Sequence, residues 1–237
     1  MKSLTVFKRN KFFFIVISAV LFFYGCGRTN IELPPAKIRS ALKNTPTYSI
    51  ILEDMKEDGN FVKSYFHKYR IILQDNAQVT DWMKVPRDYY MANEQFLGMS
   101  LAAKKDGKLI SSVAPPGYHY VGDSRYGSWR NDNRGGSFWE FYGKYALFSS
   151  LIGGWYRPVY RNDFNTYQRY RTRGVPYFGR NNEYGTSGSI VKQSKSSFYA
   201  RRMARQRSQK ASFKDSVARR TGRTRTGFRG RAGGFGK

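Results

Sequence analysis

The sequence predicts an α+β chain: a small body of two β-hairpins with a buried aromatic helix, followed by a disordered basic C-terminal tail. Three observations predict it. Runs rich in Tyr, Ile and Val flank turn signals that end at Gly59 and at Asp106-Gly107; residues 137–152 are almost continuously apolar; and the charge is unevenly placed. Net charge is +26, but residues 27–150 hold 17 basic and 13 acidic side chains while residues 151–237 hold 21 basic and 3 acidic ones. A near-balanced body with an appended polyanion-seeking segment follows from that contrast. With 18 Tyr and 18 Phe among 237 residues, rings can supply most of a core.

At the start of the chain, Lys2, Lys8, Arg9 and Lys11 precede a run over residues 12–23 that is apolar apart from Ser18. As a helix at ~1.5 Å per residue that run is about 18 Å long, short of a bilayer's hydrocarbon core and right for the apolar region of an export signal. It ends in Phe23-Tyr24-Gly25-Cys26, and Cys26 is the only cysteine. An internal disulfide and a thiolate metal site are therefore excluded. This stretch resembles the lipobox of bacterial lipoprotein precursors, in which a small residue precedes an obligatory cysteine. The resemblance covers residues 1–26, with aromatic residues at 23 and 24 where Leu and Ala or Ser are usual. It implies cleavage before Cys26, a diacylglycerol on the thiol and an acyl group on the new amine. Several acyl chains anchor stably where one is marginal. Gly27 stands where aspartate marks inner-membrane retention, so the outer membrane of a bacterial envelope is favoured. Residues 1–25 are then a signal peptide, and residues 26–47, with Pro34, Pro35 and Pro46, a lipidated N-terminus and linker.

Within the body, residues 48–55 and 61–73 form the first expected hairpin, and period two places Phe61, Tyr65, His67, Tyr69, Ile71 and Leu73 on one face. Pro86 opens a short helix carrying Tyr89, Phe96 and Leu97, which Gly98 ends. Residues 99–105 and 108–113 form a second hairpin, because Asp106-Gly107 suits a type I′ turn. Residues 114–136 read as loop, although they carry Tyr118, Tyr120, Tyr126 and Trp129. Ser137 and Glu140 have capping-box spacing and open a predicted central helix over 137–152, with Lys144 set to pair with Glu140. Tyr156, Tyr160, Phe164 and Tyr167 then recur at helical steps, interleaved with arginines, from about Pro158. The body therefore spans 48–173. Residues 174–237 are mostly Gly, Ser, Arg, Asn and Tyr, the composition of a disordered tail; a helix over 198–207 would have nothing to bury.

The chemical inventory is thin. His67 and His119 lie in different elements, and no His-x-x-x-His, Cys-x-x-Cys or P-loop pattern occurs, so neither a metal nor a cofactor is expected. His67 reads as a hydrogen-bonded histidine on an aromatic face. His119, in a loop, is the stronger of the two as a functional candidate, with Asp123, Asp132 or Glu140 as possible acid–base companions. The expected ligands of polyanions are Arg201, Arg202, Arg205, Arg207, Arg219, Arg220, Arg223, Arg225, Arg229 and Arg231. Their arginine–glycine context resembles flexible nucleic-acid-binding segments. Export makes anionic lipid, lipopolysaccharide or peptidoglycan, or a partner protein of unknown identity, the expected partner of the tail and disfavours nucleic acid. The expectation is a non-enzymatic envelope lipoprotein of binding or structural role, with membrane contact through acylated Cys26. Its alternatives are a nucleic-acid-binding protein acting through the tail, or an envelope enzyme using the 114–136 loops.

Overall fold

The computed structural model describes residues 32–59, 62–132 and 135–225, the last four by backbone alone. Helices and antiparallel strands coexist in it, the α+β class that the sequence predicts. Both expected hairpins form. β1 (Tyr48–Asp58) pairs with β2 (Ser64–Ile72), and alternation buries Tyr65, His67, Tyr69 and Ile71 of β2 as expected. β5 (Ser100–Lys105) pairs with β6 (Lys108–Ile110) across Asp106-Gly107, Lys105 lying opposite Lys108. β1 occupies the centre of the sheet, between β2 and β5. The short strands β3 (Ala77–Val79) and β4 (Met83–Val85) share the far edge of β2. Tyr48 through Glu53 are consecutively buried, so both faces of the central strand are covered.

The segment expected to be a linker contributes to the body. α1 (Pro34–Ala41) begins with its prolines in the first turn, where the missing amide hydrogen costs nothing, and buries Ile38. α2 (Arg87–Asn93) follows Pro86 and tightens into a 3-10 turn, Glu94–Phe96.

The predicted central helix over 137–152 does not form. Ser137–Phe141 is a strand, β8, paired in register with β7 (Gly127–Asn131), which lies inside the segment read as loop. Glu140 caps nothing: its carboxylate accepts a 2.8 Å hydrogen bond from Arg130 on the facing strand. The apolar side chains of this run mark no single helical face, and Phe and Trp favour a strand wherever a partner strand exists. Here Trp129 faces Trp139, with ring centroids 5.1 Å apart and edge to face. A Cβ on Gly127 would stand 2.2 Å from the Glu140 carbonyl oxygen and 2.7 Å from the Trp139 indole nitrogen, so only glycine lets that indole cross the hairpin. Helical structure resumes after β8 in the turn Gly143–Tyr145 and the short α3 (Phe148–Ile152).

The body also extends well past residue 173. α4 (Arg161–Thr172) forms close to its expected start and buries Tyr167. Beyond it, Tyr177, Tyr184, Ile190, Val191 and Phe198 are all buried, so residues 175–199 are packed rather than a disordered tail. Averaged composition concealed a few large anchors set among small residues. α5 (Ser189–Ser194) leads into α6 (Ser196–Arg225), a helix of 30 residues that buries Phe198 near its start. At ~1.5 Å per residue α6 is about 45 Å long. Replacing Gly127 by Ala should cost about 2 kcal/mol or more through overpacking, whereas Gly154→Ala, where a Cβ meets nothing closer than 3.5 Å, should stay within about 0.5 kcal/mol. Urea unfolding of the two variants measures the contrast; equal stabilities would refute the strand pairing at Gly127.

Candidate functional site

Two constellations stand out, one at the base of α6 and one around His119. At the first, Arg201 donates to both oxygens of Asp54, each at 2.7 Å. Arg205 lies 2.9 Å from the Glu57 carboxylate and also donates to the Glu57 carbonyl at 2.7 Å. Arg202 reaches Glu94 at 3.2 Å. Behind this row, Glu53 accepts from Arg70 at 2.8 Å and from Lys195. Burial pushes the Glu53 carboxyl up, but the hydrogen bonds and charges of Arg70 and Lys195 prevail and hold it below its ordinary value. Both cations also lie over the Trp155 ring, Lys195 at 4.6 Å and Arg70 at 5.8 Å from its centroid.

Three of the ten arginines expected to meet outside polyanions are therefore bonded to the protein's own carboxylates. Arg207, Arg219 and Arg220 are exposed along α6. Arg223 and Arg225 lie on its last turn, where only the backbone is described; Arg229, Arg231 and Cys26 fall outside the described residues. The acidic receivers Glu53, Asp54, Glu57 and Glu94 escaped notice in the sequence. For Glu53, Asp54 and Glu57 the signal was a run of carboxylates continuing a buried apolar strand, which demands cationic partners from elsewhere; Glu94, in a 3-10 turn, gave none.

The second constellation gathers what the sequence scattered. His119 sits in the 3-10 turn Tyr118–Tyr120, is buried, and its Nδ1 is 2.9 Å from the Tyr167 hydroxyl. Around it Lys105, Asp123, Ser124, Phe164, Gln168 and Arg171 line a cavity of about 370 Å³. Phe164, Tyr167, Gln168 and Arg171 follow i, i+3, i+4, i+7 spacing on one face of α4. Gly122 lets the loop approach that face: its φ is +82°, and a Cβ there would lie 2.7 Å from the Phe164 ring. Asp123 joins the site, accepting from Arg125 at 2.6 and 3.0 Å and pairing with Lys105 at 2.8 Å. Arg125's hydrogen bonds, aided by Lys105, hold its carboxyl well below the usual range. Asp132 and Glu140 do not join, the first accepting the Gly136 amide and the second pairing with Arg130.

Burial lowers the His119 pKa to about 3, with Arg171 and Lys105 adding to the effect, so at neutral pH the ring is an uncharged hydrogen-bonding group. His67 is equally enclosed, its Nδ1 3.0 Å from the Tyr69 hydroxyl and its ring 5.6 and 5.3 Å from those of Tyr89 and Tyr90. Burial takes its pKa down to about 4. The aromatic-face role expected of His67 is the one the structure gives it. Among the described residues no cluster of three or more His, Cys, Asp or Glu is placed to hold a metal ion, and no helix is long and apolar enough to cross a membrane.

Comparisons with protein-family models, with curated proteins and with solved structures return no match. What this chain can bind follows from its own side chains.

Two outcomes are expected of pH and substitution. Folded His67 and His119 stay neutral while the unfolded chain protonates below about 6.5, so stability is complete above that pH and falls as pH drops toward 4 and 3. Unfolding near pH 5 should take up about two protons. Urea midpoints independent of pH between 6.5 and 5 would contradict this. Glu53→Gln should cost about 2 kcal/mol at neutral pH. Because the Glu53 carboxyl titrates below its ordinary 4.5, the gap between wild type and variant should persist down to that pH and close beneath it. A gap unchanged in strong acid would show that charge is not its source.

Proposed function

We propose that this chain is a non-enzymatic lipoprotein of the bacterial envelope, held at a membrane, the outer one favoured, by acyl chains on Cys26. In this proposal the exposed part of α6 binds envelope polyanions: anionic lipid, lipopolysaccharide or peptidoglycan. The support comes from a division of labour along that helix. Arg201, Arg202 and Arg205 engage body carboxylates, whereas Arg207, Lys210, Lys214 and Arg219 are exposed on a helix whose single acidic residue is Asp215. A positive rod is thus fixed at one end and presents its charge at the other. Close to an anionic surface each cation contributes on the order of 1 kcal/mol, and the sum is salt-sensitive.

Anchor and rod are tested separately. Intact-mass measurement of the membrane fraction should find the wild-type chain cleaved before Cys26 and carrying acyl mass, and the Cys26→Ser chain carrying none; an unmodified wild-type product ends the lipoprotein proposal. Phosphatidylglycerol vesicles should then bind the Cys26→Ser protein at low salt. Replacing Arg207, Lys210, Lys214 and Arg219 together by Gln should weaken that binding at least about tenfold. Undiminished binding removes α6 from the account, and DNA binding that anionic vesicles fail to displace would favour the nucleic-acid alternative.

A further inference from the structure

We propose that the His119 cavity is a binding site for a small molecule bearing a phosphate-class oxyanion. The cavity, about 370 Å³, falls in the ~300–1,000 Å³ range of small-molecule sites. Its polar lining consists mostly of donors: the Lys105 ammonium, the Ser124 hydroxyl, the Gln168 amide and the Arg171 guanidinium. Asp123, the one carboxylate in that lining, already accepts from Arg125 and Lys105. A cationic ligand would therefore meet Arg171, with Lys105 already paired to Asp123 and no carboxylate left to receive it. An oxyanion meets the opposite situation, and a guanidinium fork matches two phosphate oxygens at once.

His119 adds an independent observation. It is 2% exposed, its Nδ1 is engaged by the Tyr167 hydroxyl, and its Nε2 has no hydrogen-bond partner among the described residues. When the phenol donates to Nδ1, Nε2 carries the ring proton and is a buried donor without a partner among the described residues, on a ring that borders the cavity. Because burial keeps the ring neutral, it can orient a ligand without titrating near pH 7. None of these residues belongs to α6, so this site and the polyanion-binding helix stand or fall independently.

The test follows the His119 ring proton by NMR in the full Cys26→Ser chain during titration with inorganic phosphate, with glycerol 3-phosphate, and with vesicles containing phosphatidic acid. The expected result is a saturable His119 shift with a phosphate ligand and none at His67. Arg171→Gln, a change at an exposed position, should weaken it at least about tenfold, and Arg171→Lys less. The variant lacking the four exposed α6 cations should keep the His119 response, which separates this site from binding by the helix. Saturation by the soluble phosphates assigns the site to a free ligand, and a response to vesicles alone assigns it to a lipid headgroup. No saturable His119 shift with any of the three, an equal shift from chloride at matched ionic strength, or an unchanged affinity in Arg171→Gln would overturn the proposal.

Discussion

The buried Glu53 carboxylate is the constraint around which the chain closes. A charge placed beneath a sheet must be met by cations, and here they come from two distant places: Arg70 on the neighbouring strand and Lys195, 142 residues further on. Trp155 lies under both cations and joins the turn after α3 to the same knot. Through Lys195 the knot fixes the junction between α5 and α6, and with it the direction in which the basic helix leaves the body. Asp54, Glu57 and Glu94 then receive Arg201, Arg205 and Arg202.

A core of rings sets a second requirement, because every buried phenol needs somewhere to put its proton. The Tyr120 hydroxyl donates to the Tyr48 carbonyl at 2.6 Å, and the Tyr120 ring packs against Tyr126 and Phe148 at 5.1 and 5.0 Å. Tyr118 touches Tyr167, Tyr177 and Tyr184 in turn. His119 lies between these two groups in the chain, so the loop that carries it is held on both sides by buried rings. A ligand cavity built on that loop inherits the rigidity of the core, although neighbouring Gly122 and Asp123 have the composition of a surface turn.

Much of the fold was legible where the determining contacts are local. Period two in β2, the Asp106-Gly107 turn and the Phe164–Tyr167 step of α4 each report themselves within a dozen residues, although Tyr156 and Tyr160 of the expected stripe precede the helix. The 137–152 run was misread because uniform apolarity has no period, and the deciding partner, Gly127 to Asn131, looks like loop in isolation. Residues 175–199 were misread because five buried apolar side chains are few against the Gly, Ser and Asn around them. Outside the two constellations, His67 among tyrosines was readable from alternation alone. The acceptors of the α6 arginines were not, since no local pattern links Asp54 to Arg201 across that length of chain. The His119 cavity falls between these cases: its α4 face has a visible helical spacing, but Lys105 and Asp123 arrive from other elements.

The division of α6 changes what net charge means for this protein. Residues 151–237 carry a large positive excess, yet part of it neutralises β1 and never confronts a partner. The two parts of the helix also obey different electrostatics. Near the body the Lys195–Glu53 and Arg205–Glu57 pairs are partly shielded from water, so dissolved ions screen them less than the exposed Arg202–Glu94 pair. Farther along, the cations face solvent, and ions at physiological concentration reduce their reach to about 8 Å. One helix therefore combines a salt-resistant root with a salt-sensitive reach, which allows a reversible electrostatic contact to form and dissolve while the body remains folded.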